Sequence, residues 1–140
     1  MPRTTRHLTL ANGLQLNLRH APQLKRSAAA LRVHAGSHDA PARWPGLAHF
    51  LEHLLFLGTA RFALTDGLMR HVQRLGGEVN ASTAERHTDF FFEVPPAGLD
   101  GALLRLCDML AEPQLDLQRQ LREREVIHAE FIAWSRDHQA

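Results

Sequence analysis

The sequence predicts an α+β domain, and three observations predict it. Apolar and polar residues alternate in two separate regions, between His7 and Ala35 and between Glu78 and Val94, as half-buried strands do. Apolar residues recur at helical spacing from Leu47 to Leu57, Leu68 to Leu75, Leu99 to Leu110 and beyond Asp116. Glycine and proline pairs punctuate the chain, so that strands and helices fall in distinct clusters. At 140 residues and 44% apolar composition, the chain makes one domain at most and can bury a real core.

The elements follow in order. His7 to Leu10 alternates, Asn12-Gly13 follows, and Leu14 to Leu18 alternates again, which reads as a hairpin whose tight turn uses positive φ. Ala21-Pro22 interrupts it. Alanine content would allow a helix from Ser27 to Ala35, but Leu31, Val33 and Ala35 alternate with Arg32 and His34, so a strand ending at Gly36-Ser37 is expected. Pro41 to Gly46 is a loop. The helix that follows ends near Gly58, expected at C′ with positive φ. Thr65 or Asp66 caps a second helix that presents Leu68, Met69, Val72 and Leu75 and stops at Gly76-Gly77. Glu78 to Thr83 and Thr88 to Val94 read as strands joined by a short turn at Ala84 to His87, and Pro95-Pro96 ends the second. Leu99, Leu103, Leu106 and Leu110 form the stripe of a helix closed by Pro113. From Asp116 a last helix reaches at least Trp134, with Ile127, Phe131 and Trp134 as its apolar stripe.

Composition narrows the function. A net charge of +1 gives no electrostatic case for nucleic acid or an anionic membrane as partner. No apolar run approaches a membrane span, and Leu8-Thr9-Leu10 is too short for a signal peptide's apolar region. The single cysteine, Cys107, rules out an internal disulfide and suits a reducing compartment, so a cytoplasmic location is expected. Cys107 itself sits among apolar residues at helical spacing and is expected to be buried packing. Ser135 to Ala140 carries neither a glycine cap nor a proline, which points to a sequence incomplete at that end.

The chemistry centres on His49-Phe50-Leu51-Glu52-His53. On a helix, Glu52 lies about 60° to one side of His49 and His53 about 40° to the other, so two imidazoles and a carboxylate share one arc. Their neighbours Leu47, Ala48, Phe50, Leu51, Leu54, Leu55, Phe56 and Leu57 are apolar, and a helix of that kind belongs inside a protein. Three ionisable groups there are costly unless compensated. A single zinc ion compensates well, held by two neutral imidazoles, with the carboxylate as a base. The 10 histidines give about 0.7 pairs at this spacing by chance, but only about 0.04 with a glutamate just before the second. His34 and His38 form another such pair in a segment that reads as strand and turn, and they are not expected to bind metal. His71, His87 and His128 are expected on the surface or in packing.

Zinc needs a further protein ligand. Glu130 stands in the apolar run Val126-Ile127-His128-Ala129-Glu130-Phe131-Ile132, and Glu123, seven residues earlier, points within about 20° of the same direction. One acid can ligate while the other supports a histidine or the substrate; spacing leaves the assignment open. Arg122 to Glu125 otherwise reads as a solvated charged face.

His-x-x-Glu-His is the inverted zinc-peptidase signature. Gly36-Ser37 followed by Gly46 to His53, then Gly76-Gly77, Asn80-Ala81-Ser82-Thr83 and Thr88, resembles the pitrilysin/insulysin family of zinc metallopeptidases from about Asn12 to Trp134. The resemblance implies a mixed or antiparallel sheet packed against helices, the first domain of a pitrilysin-type fold. It implies Glu130, 77 positions past His53, as third zinc ligand, and Glu123 as the family's second conserved acid. Glu52 would be the general base. The strand Asn80 to Thr83 would lie beside an extended peptide substrate added at the sheet edge. Asp89 to Glu93 and Leu121 to Asp137 resemble a branch of the family held to process a small precursor peptide in cofactor biosynthesis. Family members are far longer, with a second half that closes on substrate, so residues 1–140 are expected to be an N-terminal catalytic portion that is weak or inactive alone. The alternative is a non-catalytic assembly or binding subunit on the same fold.

Overall fold

The computed structural model describes residues 4–113 together with Leu121, 124–126 and 128–129, the last six being helical. Strands β1 (Thr4–Thr9) and β2 (Gln15–His20) form an antiparallel hairpin with Leu8 opposite Leu16 and Arg6 opposite Leu18. Its turn is longer than the two-residue form expected. Leu10 N–H donates to Leu14 O and Gly13 N–H to Leu10 O, and only Gly13 takes positive φ. Asn12 contributes through its side chain instead, accepting the Leu14 N–H at 3.0 Å.

Strands β3 (Ser27–Val33), β4 (Glu78–Thr83) and β5 (Thr88–Val94) make a three-stranded antiparallel sheet in the order β3-β5-β4. The bounds of β4 and β5 match the sequence expectation, and β3 stops two residues earlier than expected. Period-2 alternation places Phe90, Phe92 and Val94 of the central strand on one face, all buried. Burying each phenylalanine contributes about 2–3 kcal/mol. Against them pack Leu68 and Val72 of α2 (Leu68–Arg74) and Ala102, Leu106 and Met109 of α3 (Leu99–Ala111). Helix α1 (Leu47–Leu55) lies along β4 and adds Leu55 and the following Phe56 to this core.

Several expectations are corrected. Glycine 67, not Thr65 or Asp66, is the N-cap of α2. Asp66 lies in a preceding 3-10 turn, where its carboxylate accepts hydrogen bonds from Arg74 and Arg105 and is held below the usual carboxylate range by them. Arg105 also donates to Asp66 O at 2.8 Å and Gly101 O at 3.0 Å and lies over the Phe62 ring, pinning α3 to the start of α2. Leu103 is exposed, because the buried stripe of α3 runs through Ala102, Leu106 and Met109. Cys107 is exposed for the same reason, one residue and about 100° past Leu106. Gly58 has the positive φ expected, but α1 ends at Leu55 with Phe56 as C-cap, so Gly58 stands one residue beyond C′. No helix among the described residues is long and apolar enough to cross a membrane.

Candidate metal centre

Two contacts set the position of α1. Gly36 lets the loop after β3 run against the β4–β5 turn, where Ser37 N–H donates to Ala84 O and His38 N–H to Glu85 O, both at 2.9 Å. Any Cβ at residue 36 would fall 2.2 Å from Ala84 O, so the approach requires glycine. At the other end, Leu54 is buried and the Phe56 ring meets that of Phe90 with centroids 6.1 Å apart. The helix is not enclosed as expected: within the described residues Leu47 is 42% and Leu51 44% exposed. His49 is exposed, while Glu52 and His53 are half-buried.

The two imidazoles converge. His49 Nε2 and His53 Nε2 are 3.0 Å apart, with the rings tilted by 39°. One ligand atom from each of His49, Glu52 and His53 lies within 4.8 Å of the others, the one such group of three among the described residues. Facing imidazole nitrogens need a shared proton or a shared cation between their lone pairs. Two nitrogens on one tetrahedral zinc, at about 2.0–2.1 Å each, would stand about 3.3 Å apart, a few tenths from the separation found. The donor set of two nitrogens and a nearby carboxylate fits that ion. Glu123 and Glu130 lie outside the described residues.

Strand β4 borders this group. It is an edge of the three-stranded sheet, paired with β5 on one side. Val79, Ala81 and Thr83 face the helices, and Glu78, Asn80 and Ser82 the other side. The Asn80 side-chain oxygen accepts the Ala81 N–H at 2.8 Å. Thr83 Oγ1 donates to Glu52 Oε2. The sequence expectation placed Thr83 on the strand but not against Glu52; alternation tells which way a side chain points and not which helix it meets. Behind α1, an open, mostly apolar cleft of about 360 Å³ reaches Glu52 between Leu51, Leu55, Val33, Phe90 and Leu110. A larger hollow of about 850 Å³, bordered by Ala30, Asn80 and Phe91, includes none of the three candidate groups.

A sequence profile of the insulinase family, peptidase family M16, matches residues 16–140. The chain belongs to peptidase family M16. Among its M16 relatives it is 80% identical over 137 residues to coenzyme PQQ synthesis protein F of Pseudomonas putida, covering 98% of this chain and 18% of that protein. It is 40% identical to protease 3 of Escherichia coli, covering 93% of this chain and 14% of that one. The crystal structure of pitrilysin superposes with a TM-score of 0.87 at 40% identity, over 92% of this chain and 14% of pitrilysin's. A protease from Helicobacter pylori superposes at 0.81 with 29% identity, over 92% and 31%. The fold is therefore that of the pitrilysin N-terminal domain, and the chain spans less than a fifth of the length of either of these two curated relatives.

Proposed function

We propose that this chain is the N-terminal catalytic portion of a zinc-dependent endopeptidase that cleaves small peptides, its substrate being the precursor peptide of pyrroloquinoline quinone (PQQ) biosynthesis. The observation that carries the reading is the convergence of His49 Nε2 and His53 Nε2, 3.0 Å apart, beside the Glu52 carboxylate. His49 and His53, with Glu130 as third ligand and Glu123 in support, would hold one zinc ion. Bound there, the ion supplies Lewis-acid polarisation of a water and of the scissile carbonyl. Glu52 takes the proton of the attacking water on its carboxylate and returns it to the leaving amine. Asn80, Ala81, Ser82 and Thr83 offer an open strand edge along which an extended peptide can pair through its backbone. The PQQ assignment is supported by the 80% identity to a PQQ synthesis protein. A cytoplasmic site of action accords with the lone cysteine. A non-catalytic subunit on the same fold would have no use for a base beside paired imidazoles.

In the full-length protein, Glu52→Gln is expected to keep one zinc per chain by elemental analysis and to lose peptide cleavage by about 1,000-fold or more, the scale on which general bases act. His49→Ala is expected to lose the metal. Cleavage retained by Glu52→Gln, or undiminished zinc in His49→Ala, would remove the mechanism.

A further inference from the structure

The geometry points to Thr83 as a positioning residue that fixes the Glu52 carboxylate, an inference resting on the base role proposed above for Glu52. The Thr83 hydroxyl donates to Glu52 Oε2 across 31 positions of sequence, from the last residue of β4 to the middle of α1. A glutamate on a helix has three rotatable side-chain bonds and several accessible rotamers, so an unheld carboxylate spends only part of its time facing any one point. One hydrogen bond from a fixed donor removes most of that freedom. A carboxylate has about four lone-pair sites on two oxygens, so accepting from Thr83 at Oε2 leaves the other oxygen to serve a water.

The donor is itself fixed. Thr83 sits opposite Thr88 in the β4–β5 ladder, and the Thr88 hydroxyl donates to Ala35 O at 2.8 Å, tying the same end of the sheet to the chain after β3. Ala84 N–H closes the turn on His87 O at 2.8 Å immediately afterwards. A β-branched side chain has few χ1 options, which holds the hydroxyl on the helix side of the strand. Thr83 thus joins two parts of the proposed site, because its backbone belongs to the open edge while its side chain holds the base. A peptide pairing along β4 and the carboxylate that acts on it would share one rigid reference.

The test uses the full-length, zinc-loaded protein with a peptide substrate, comparing Thr83→Val, which keeps the shape and removes the donor, with Thr83→Ser, which keeps the donor. Thr83→Val is expected to retain zinc, leave KM within about twofold and lower kcat by about 10- to 100-fold, the cost of a misplaced catalytic group. Thr83→Ser is expected to keep kcat within about threefold of wild type. An unaltered kcat in Thr83→Val, a change confined to KM, or equal losses in both variants overturns the inference. A second readout needs no activity: in metal-free protein, unfolding midpoints are measured for Thr83→Val, Glu52→Ala and the double variant. If the two side chains act through each other, the double loses no more than the larger single within about 1 °C, whereas additive losses sink the contact. Full cleavage by Glu52→Gln would instead overturn the base role itself, whatever the midpoints show.

Discussion

His71 carries the clearest electrostatic tension in the described residues. Its Nε2 is buried without a hydrogen-bond partner and faces Gly101, where an added Cβ would lie only 2.8 Å away. Burial first, and the Arg105 guanidinium second, push this imidazole below the ordinary histidine value. The group therefore binds a proton less readily when folded than when unfolded. Its contribution to stability is complete above about pH 6.5 and falls as the pH drops from there through the depressed folded value. We expect His71→Gln to flatten that part of the stability-against-pH curve, measured by urea unfolding from pH 7.5 to about 4.5; an unchanged slope would mean the ring is solvated. From the sequence His71 is expected on the surface or in packing and no more, because its α2 position says nothing of Arg105, 34 residues on. Cys107 makes the same point in reverse: its apolar neighbours suggested burial, while the core side of α3 was decided by Ala102, Leu106 and Met109.

Among the elements, the loop from β3 to α1 bears most directly on the proposed site. Its backbone bonds to Ala84 and Glu85 set how the helix bearing His49, Glu52 and His53 meets β4. Gly36→Ala brings a methyl group into the Ala84 carbonyl, and backbone cannot yield cheaply. We expect a loss of about 2–4 kcal/mol in stability, read by denaturant unfolding, with a larger fall in catalysis than in zinc content because α1 shifts as a unit relative to β4. A stability change under about 0.5 kcal/mol would show that the loop has room to move. Most elements were legible beforehand. Strands β4 and β5 were found to the residue, since alternation and the Pro95-Pro96 stop are local signals. The cap of α2 was not, because Asp66, a good capping residue by type, is drawn away by Arg74 and Arg105.

On the scale of the whole molecule, the chain spans 18% of the Pseudomonas putida relative and 14% of the Escherichia coli one, and much apolar surface faces outward. Leu8, Leu10, Leu14 and Leu18 on the hairpin and Leu47 and Leu51 on α1 are all exposed. A polypeptide ending at Ala140 is expected to bind zinc yet cleave peptide at least about 100-fold more slowly in kcat/KM than a parent protein of its relatives' length, since substrate positioning contributes on that scale. Comparable kcat/KM for the two would place the whole of substrate binding in these 140 residues. The sequence by itself determined the family, through its match to the M16 profile, and the α+β class and the arc shared by His49, Glu52 and His53, through local periodicity and spacing. Only the tertiary structure decided that α1 lies beside an edge strand, that Thr83 reaches Glu52, and that Leu47 and Leu51 stay exposed within these 140 residues. Those outcomes depend on which distant segments compete for the same buried face, and no local pattern in the chain encodes that competition.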